Sequence, residues 1–527
     1  MRYDTVMQLL RRFGQQLHSN WILLCLVLGF ICLHSIFLDR LPIFNDESIY
    51  LDWAWSALHI PGHAFDSLLD AKQPLMIWVW GIFELFIDSP VIAGRFASIV
   101  IGSLTAVGIY TIAQRLFDKK SALLAFILYS ITPIFVFYHR IALMEMSVAC
   151  VGIWTYVVLT EFIASPSRRK SAILGCLLGI GFLIKSSAVI FAMSSSLIIA
   201  VHVIQRKNWQ ILRKASFSLV TFMTTTYIVL IQPYFWHSFR TNDRFTYTLR
   251  ELLHFPVHDW LIHGLGFIEI GLVFMTPLLF LEGLFGLRFI NIAQKESQKI
   301  FVHFFAMSLL LEIVLVRTQS QRYLVAFLPF LTILAARTVT HFWEQGIFFK
   351  AVASISVIFP LYFYVLQLFQ PQLYILQLAR FSQYSELGYL FGQTSGYGIN
   401  ECLNFIAEST DSTKPTLVFF AQNAGNPESA VDLFTQKHPN FYGLYIDAAF
   451  FPDLAQTQCL STNYPVFFVT RSVELAGMER FFELAKKCPN PHDQYYVGVY
   501  TLKKSCEGNT LSLSDKYQPV IEKMTHK

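Results

Sequence analysis

The chain has 527 residues, a hydrophobic content of 54% and a mean hydropathy of +0.48, while charged residues make up only 14%. This composition excludes an ordinary soluble globular protein, and apolar runs of about 20 residues, long enough to cross a bilayer, recur through the first two thirds. The net charge is +5, but the positive excess lies before Pro371 and falls in alternate loops. It therefore indicates membrane topology and gives no indication of nucleic-acid binding.

About eleven transmembrane helices are predicted after a cytoplasmic N-terminal segment, residues 1–20. They are placed at 21–38, 95–114, 121–138, 143–163, 171–186, 187–205, 215–232, 262–287, 300–316, 322–340 and 349–368. The positive-inside rule predicts a cytoplasmic N-terminus and an extracytoplasmic C-terminus. The predicted outer face contains no Asn-x-Ser/Thr sequence, which favours a bacterial inner membrane over an endoplasmic reticulum membrane.

The predicted domains are a transmembrane domain over residues 21–368, with its first outer loop at 39–94, and an extracytoplasmic α/β domain over 369–510. A flexible tail is predicted at 511–527. Within the outer domain, helix-like runs (Asn400–Glu408, Glu428–Gln436 and Val473–Lys487) alternate with strand-like runs (Pro415–Ala421, Tyr442–Ile446, Pro465–Thr470 and Gln494–Leu502). Four cysteines, Cys402, Cys459, Cys488 and Cys506, permit two disulfides there, and three pairings remain open.

Two adjacent carboxylates, Asp46 and Glu47, follow the first apolar run by a few residues. Such a pair just outside a membrane could hold a divalent metal ion, or act as a base and its orienting partner for an incoming hydroxyl. The alternative is a solvated loop in which Asn45 or Asp46 caps a helix that runs through Tyr50.

Further ionisable groups are predicted at the same outer surface, where buried charges usually pair or face a cavity. They are Lys72, His139-Arg140 with Glu145, Lys185, and the stretch from Arg317 to Arg322-Tyr323. Structural alternatives are an ion pair of Glu145 with Arg140 or Arg95, snorkelling of Lys185 to the interface, and a plain loop flank for Arg322. Together, carboxylates facing several cations at headgroup height suit a phosphate-containing lipid, with Tyr50, Trp53 and Trp55 as apolar walls.

A set of motifs in the first two thirds of the chain occurs in a family order. The set consists of Asp46-Glu47 with Tyr50, Lys72-Gln73-Pro74-Leu75 with Trp78, Ala93-Gly94-Arg95-Phe96-Ala97-Ser98, Arg140 with Leu143-Met144-Glu145-Met146, Gly181-Phe182-Leu183-Ile184-Lys185, and Arg322-Tyr323-Leu324 with Pro329. It resembles the membrane glycosyltransferases of the protein O-mannosyltransferase and lipid A aminoarabinose transferase group. The segment Gln393-Thr394-Ser395-Gly396-Tyr397-Gly398 is similar to one that follows the last span in bacterial members.

The resemblance implies a polytopic GT-C fold and an inverting transfer of a hexose or pentose from a polyprenyl-phosphate-linked donor to a glycolipid, polysaccharide or protein acceptor. It implies that Asp46 is the catalytic base, Glu47 its neighbour, and Glu145 the second carboxylate, where the family commonly has Asp. Lys72, Arg140 and Lys185 are the implied phosphate contacts, and Arg322, Tyr50 and Tyr323 belong to the same substrate-binding set. Some relatives bind a divalent metal near the acidic pair, so Asp46 and Glu47 are also the candidate metal ligands.

Two other functional classes compete with a glycosyltransferase. A transporter or lipid flippase would place its ionisable residues near the middle of broken helices, whereas here they cluster toward one face, and no internal repeat is visible. A non-catalytic scaffold with the same fold is the other alternative. Retention of Asp46, Glu47 and the cationic set argues against it.

Overall fold

The computed structural model describes residues 21–241, 245–411, 414–421, 425–446, 465–471 and 482–502, so the predicted N-terminal segment 1–20 and tail 511–527 lie outside the described residues. The chain divides into two compact units. The first is built from Met1–Arg40, Ala64–Phe83 and Ile92–Ser385. The second is built from Leu41–His63, Glu84–Val91 and Glu386–Lys527.

Nineteen α-helices of the described residues precede the C-terminal sheet region. They are α1 Trp21–His34, α2 Asn45–His59, α3 Leu75–Glu84, α4 Pro90–Leu116, α5 Lys119–Ile131, α6 Pro133–His139, α7 Glu145–Ala164, α8 Arg168–Ile184, α9 Val189–Arg206, α10 Trp209–Leu230, α11 Pro233–Thr241, α12 Leu249–Leu253, α13 Val257–Phe274, α14 Pro277–Phe285, α15 Glu296–Leu315, α16 Gln321–Leu324, α17 Leu328–Trp343, α18 Ile347–Phe369 and α19 Pro371–Leu378. Short 3₁₀ turns occupy Asp66–Asp70, Ser186–Ala188, Gly286–Phe289 and Leu387–Tyr389.

Six helices of the described residues are long and apolar enough to cross a membrane, or seven if the bent pair α5–α6 is one span. These helices make the chain an integral membrane protein. The predicted total of about eleven crossings is not confirmed, because several of the predicted spans contain shorter helices. For example, α1 has 14 residues and α17 has 16.

Three of the predicted spans are interrupted at prolines. The span predicted at 121–138 is two helices, α5 and α6, that meet at Thr132-Pro133 with a bend of 64°. The span at 262–287 is α13 and α14, separated before Pro277, and the span at 322–340 is α16 and α17, with Pro329 in the first turn of α17. Proline lacks the N–H that would continue a preceding helix but suits a first turn, which explains all three breaks.

Helices α8 and α10 pack closely because glycines line their contact. A Cβ added at Gly175 would lie 2.0 Å from the Ser218 carbonyl oxygen, and one at Gly179 would lie 2.7 Å from Thr225 Cβ. The four-residue spacing of these glycines puts both on one face of α8, the arrangement that lets membrane helices approach. This contact holds the helix whose C-terminal end carries Lys185.

The second unit contains a five-stranded sheet in the order β2-β1-β3-β5-β4. The strands are β1 Thr416–Ala421, β2 Phe441–Ile446, β3 Val466–Arg471, β4 Phe482–Pro489 and β5 Tyr496–Leu502, and helices α20 Ile399–Ser409 and α21 Glu428–Lys437 accompany them. The first three strands are parallel neighbours, while β5 runs antiparallel to both β3 and β4. Four of the five strands lie where strand-like runs were predicted.

The helix predicted at Val473–Lys487 is wrong over residues 482–487, which belong to β4; residues 472–481 lie outside the described residues. β4 pairs with β5 from Phe482 opposite Leu502 to Pro489 opposite Tyr496. It lies at the end of the sheet, and most of its side chains are exposed. Such a strand does not need the continuous apolar alternation that identifies strands in a sequence, so tertiary pairing overrides the local helical pattern.

The division into units does not coincide with the predicted boundaries at 39–94 and at 369. Helix α2, predicted to belong to the transmembrane domain, packs in the second unit against α21, where Gln436 Nε2 donates a 2.9 Å hydrogen bond to Asp52 Oδ1. Helix α19 belongs instead to the first unit. Buried contacts between distant parts of the chain, rather than the change in composition after Leu368, determine these assignments.

One disulfide joins Cys402 in α20 to Cys488 in β4, across 86 residues of sequence. It is one of the pairings left open by the sequence. Cys459 and Cys506 lie outside the described residues, and Cys25, Cys32, Cys150 and Cys176 are free thiols.

We expect the double substitution Cys402→Ser and Cys488→Ser to destabilise the second unit by about 3 to 4 kcal/mol, because the crosslink no longer limits the unfolded chain. Hydrogen exchange of the β5 amides, measured in detergent, should become correspondingly faster. Cys176→Ser removes an exposed free thiol and should leave β5 exchange unchanged. Equal exchange in the double variant and the wild-type protein would contradict this prediction.

Candidate functional site

A buried ion cluster centres on Glu145, the first residue of α7. One carboxylate oxygen, Oε1, accepts a hydrogen bond from Lys185 Nζ at 3.0 Å and another from Arg322 Nε at 3.1 Å. The Glu145 side chain is 2% exposed, whereas Lys185 is 24% exposed and Arg322 is 21% exposed. Three predicted site residues from distant parts of the chain therefore come together, with the carboxylate inside and the two cations reaching toward the surface.

Local chain geometry places both cations at helix ends. Lys185 follows α8 in an extended conformation, and the 3₁₀ turn Ser186–Ala188 begins immediately after it. Arg322 lies in the single-turn helix α16, where the Ser320 hydroxyl accepts a hydrogen bond from the Arg322 N–H. The next residue, Tyr323, places its ring 5.2 Å from Lys185 Nζ, a cation–π distance.

The cluster borders a pocket of the first unit with about 320 Å³ of space not filled by protein, part of it open to solvent. Its lining residues are Glu145, Val148, Lys185, Ser187, Phe191, Glu312, Arg322, Tyr323, Ala326 and Phe327. The second oxygen of Glu145, Oε2, is buried and has no hydrogen-bond partner among the described residues. Mixed apolar and charged walls of this kind suit a ligand with a charged head and an apolar body.

Glu312, in α15, is a pocket residue that the sequence reasoning missed. It is 3% exposed, its charge interacts with that of Lys185, and no hydrogen bond or ion pair of its carboxylate is found in the described part of the chain. It is the only charged residue between Ile300 and Leu315. An acidic residue inside a membrane helix is rare, so the sequence alone could have singled out Glu312 as a candidate.

The acidic pair Asp46-Glu47 lies in the second unit, in the first turn of α2. The helix begins at Asn45 and its N-cap is Phe44, so the prediction that Asn45 or Asp46 is the cap is wrong. Glu47 is fully buried, and its Oε2 accepts a 3.2 Å hydrogen bond from the Phe44 N–H. Asp46 is half-buried, and two carboxylates at the positive end of a helix are electrostatically favourable.

Two other predicted site residues, Tyr50 and Lys72, have contacts outside the ion cluster. Tyr50, in α2, is 4% exposed, with its ring 6.0 Å from that of Trp53. Lys72 Nζ lies 5.2 Å above the Phe245 ring. Tyr50 belongs to the second unit and Lys72 to the first.

Arg140 holds the chain that follows α1. Its guanidinium donates hydrogen bonds to the carbonyl oxygens of His34, Ile36 and Phe37 at 2.6, 2.8 and 2.9 Å. Burial lowers the pKa of Arg140 to about 10, so the group is still charged at neutral pH. Arg95 donates in the same way to the Leu38 carbonyl. The predicted ion pair of Glu145 with Arg140 or Arg95 is therefore wrong, because Glu145 pairs with Lys185 and Arg322 instead.

The carboxylates of the described residues do not form a metal site. No group of three or more His, Cys, Asp or Glu side chains in the described residues has a geometry that could hold a metal ion. Of the predicted ligands Asp46 and Glu47, the second already accepts the Phe44 N–H. Two carboxylates, one of which already accepts a backbone hydrogen bond, do not form a divalent-metal site by themselves.

The chain is similar to known membrane glycosyltransferases in part of its sequence and in its fold. The family model described as dolichyl-phosphate-mannose-protein mannosyltransferase matches residues 71–234. The crystal structure of ArnT from Cupriavidus metallidurans bound to undecaprenyl phosphate superposes with a TM-score of 0.57 at 13% sequence identity, covering 91% of this chain and 98% of that one. This chain has the fold of ArnT. The resemblance predicted from the motifs is thereby confirmed.

Two further structures are similar to this chain. The apo state of the same ArnT has a TM-score of 0.55 at 14% identity, covering 92% of this chain and 98% of that one. The Archaeoglobus fulgidus oligosaccharyltransferase has a TM-score of 0.45 at 12% identity, covering 86% and 70%. Among curated protein sequences, none matches.

We expect a double-mutant cycle between Glu145→Gln and Lys185→Gln to give a coupling free energy of about 1 to 3 kcal/mol, because the two groups form a largely buried, hydrogen-bonded ion pair at 3.0 Å. The measurement is thermal or denaturant unfolding in detergent. The matched control pair is Lys120–Glu344, whose atoms are 3.5 Å apart and whose side chains are 79% and 55% exposed. Its coupling should stay below about 0.5 kcal/mol, and equal coupling in the two cycles would contradict the prediction.

Proposed function

We propose that this protein is a glycosyltransferase that moves a hexose or pentose from a polyprenyl-phosphate-linked donor to a glycan, lipid or protein acceptor at the outer face of a bacterial inner membrane. The observation that carries the proposal is the Glu145 cluster: two cations held side by side at a pocket, in a chain with the fold of a protein crystallised with undecaprenyl phosphate. The transfer is inverting, and Asp46 is its base.

The ion cluster supplies what a phosphate leaving group needs. Lys185 donates one hydrogen bond, to Glu145, and has two further N–H donors, while its side chain is a quarter exposed. Arg322 offers a planar guanidinium beside it, a geometry that matches phosphate oxygens. Charge-assisted hydrogen bonds from both residues stabilise the negative charge that develops on the phosphate as its bond to the sugar breaks.

Glu145 orients these donors rather than contacting the phosphate itself. Its Oε1 holds the Lys185 ammonium and the Arg322 guanidinium in fixed positions, so little reorganisation is required when a phosphate arrives. Since the family commonly has Asp at this place, the extra methylene of Glu145 moves the carboxylate by about one bond length. Glu312 adds a second carboxyl group to the pocket wall.

The reaction is a single displacement at the anomeric carbon. The acceptor hydroxyl gives its proton to the Asp46 carboxylate while its oxygen forms the new bond to the anomeric carbon. The bond from that carbon to the phosphate oxygen breaks on the opposite side, and the prenyl phosphate leaves with the bonding electron pair. Glu47, which caps α2 through the Phe44 N–H, keeps the first turn of that helix formed around Asp46.

We expect Lys185→Ala to weaken the binding of undecaprenyl phosphate by about 10- to 100-fold, because a buried phosphate loses a charge-assisted contact. Affinity would be measured by thermophoresis or calorimetry with the purified protein in nanodiscs. Lys120→Ala removes an exposed lysine and should leave the affinity unchanged. Unaltered affinity in a folded Lys185→Ala protein would remove this residue from the site.

We expect Asp46→Asn to abolish sugar transfer while the protein remains inserted and folded, since an amide cannot accept the acceptor proton. Mass spectrometry of envelope glycans and of the polyprenyl-phosphate pool would compare a deletion strain complemented by the wild-type or the variant protein. Only the wild-type protein should restore the missing sugar and consume the accumulated donor. Rescue by Asp46→Asn would refute the proposed base, and no sugar change in any strain would favour a transporter or a scaffold.

A further inference from the structure

The turn that carries Asp46 and Glu47 is hydrogen-bonded to two distant segments of its own unit. The Asn426 backbone N–H donates to Asn45 Oδ1 at 2.8 Å, and Asn426 Nδ2 donates to the Ile43 carbonyl at 3.0 Å and to the Thr394 carbonyl at 3.2 Å. The Asn45 N–H in turn donates to the Thr394 carbonyl at 3.1 Å. Asn426 therefore joins the start of α2, with the residues just before it, to the segment Gln393–Gly398, whose motif was noted in the sequence.

Two glycines allow the backbones to approach this closely. A Cβ at Gly396 would lie 2.0 Å from the Ile43 carbonyl oxygen. Gly425 has a φ of +116°, and a Cβ there would lie 2.0 Å from Asn45 Oδ1. Any side chain at either position would displace the turn, and at Gly425 it would also strain the backbone.

The asparagine itself is unusual for a buried position. Its side chain is 5% exposed, and its Oδ1 has no hydrogen-bond partner among the described residues, although both hydrogens of its amide point to carbonyl oxygens. Burying an amide oxygen without a partner is costly, so such a group calls for an explanation other than stability. The geometry offers another explanation: the NH₂ group of Asn426 bridges the Ile43 and Thr394 carbonyls and so sets the distance between these two backbone segments.

The adjacent side chains hold the same turn from a second direction. The Phe44 ring stacks on the Tyr389 ring with 3.9 Å between centroids, and Ile43 and Phe44 are both buried. Arg471 donates to the carbonyls of Gln393 and Ser395, which fixes the partner segment from its other side. Asp46 is thus attached to a turn that contacts the C-terminal part of the second unit on several sides.

We infer that Asn426, together with Gly396 and Gly425, is a positioning residue for the proposed base: it sets the place of the Asn45–Glu47 turn and hence of the Asp46 carboxylate. This inference rests on the role proposed for Asp46. The C-terminal part of the second unit thereby has a function in the reaction, although Asn426 itself does not contact the substrate. Misplacement of a reacting group by about 1 Å lowers a rate by roughly 100-fold, so a positioning residue of this kind should affect turnover strongly.

The test measures turnover, donor binding and the turn itself in the full-length protein in nanodiscs. Asn426→Ala removes both side-chain donors, and Gly396→Ala places a methyl group against the Ile43 carbonyl. The control is Gly264→Ala, where an added Cβ meets no heavy atom within 4 Å. Kinetics would use the lipid-linked donor that accumulates in the deletion strain, and binding would use undecaprenyl phosphate.

Both variants should lower kcat by about 10- to 100-fold with undecaprenyl phosphate affinity within about twofold of the wild-type value. Hydrogen exchange at the Asn45 amide should become faster in both variants, and the Gly264→Ala control should match the wild-type protein in every measurement. A general loss of folding would instead reduce the number of binding sites, which the undecaprenyl phosphate titration counts.

Two results would overturn the inference: unchanged exchange at Asn45, or faster exchange with unchanged kcat. Failure of the proposed function gives a different pattern, because Asp46→Asn would then retain activity whatever the exchange data show. A dead Asp46→Asn variant combined with fully active Asn426→Ala and Gly396→Ala variants leaves the base in place and removes only the positioning role.

Discussion

The central interaction at the pocket of the first unit is the compensation of one buried carboxylate, that of Glu145. Moving the Glu145 side chain out of water costs several kcal/mol unless cations stay close, and Lys185 and Arg322 meet that requirement at 3.0 and 3.1 Å. The two cations come from the end of α8 and from α16, so three chain segments must meet at one point. The close approach of α8 to α10 at Gly175 and Gly179 fixes the helix that delivers Lys185.

The same cluster explains why a membrane protein would retain charges that are costly to bury. An apolar substitution of the whole set would stabilise the fold about as well, because buried ion pairs seldom exceed a hydrophobic replacement in net stability. The cost of burying these charges motivates the binding role proposed for them, and the pocket beside them has charged and aromatic walls. In that proposal, Glu145 holds the two cations in place before the ligand arrives.

The residues of the ion cluster could be predicted from the sequence, because each stands out against its immediate neighbours in the chain. Charges inside or beside apolar runs are conspicuous, and Glu145, Lys185 and Arg322 were recognised on that ground. The prolines at 133, 277 and 329 carried a further signal, that helices restart there, which the predicted uninterrupted spans did not use. Glu312 carried the same signal as Glu145 and was overlooked because it lies within a single predicted span and outside any motif.

The remaining features depend on contacts that no local pattern encodes. Which cation pairs with Glu145, and that Cys402 pairs with Cys488 rather than with Cys459 or Cys506, follow only from the folded chain. The edge strand β4 reads as a helix because Glu483, Lys486 and Lys487 are good helix formers and its pairing with β5 is supplied by the rest of the sheet. The position of α2 in the second unit likewise depends on contacts with residues far away in the sequence, such as that between Asp52 and Gln436.

The second unit is built from segments that lie far apart in the sequence, and this has a consequence for biosynthesis. Asn45 and Asn426 are 381 residues apart, so at a translation rate of about 5 to 20 residues per second the first waits roughly 20 to 75 s for its partner to be made. During that interval α2 has been synthesised while α21 and the whole sheet do not yet exist. The segment that carries Asp46 and Glu47 therefore cannot form its contact with Asn426 until the chain has been synthesised at least that far.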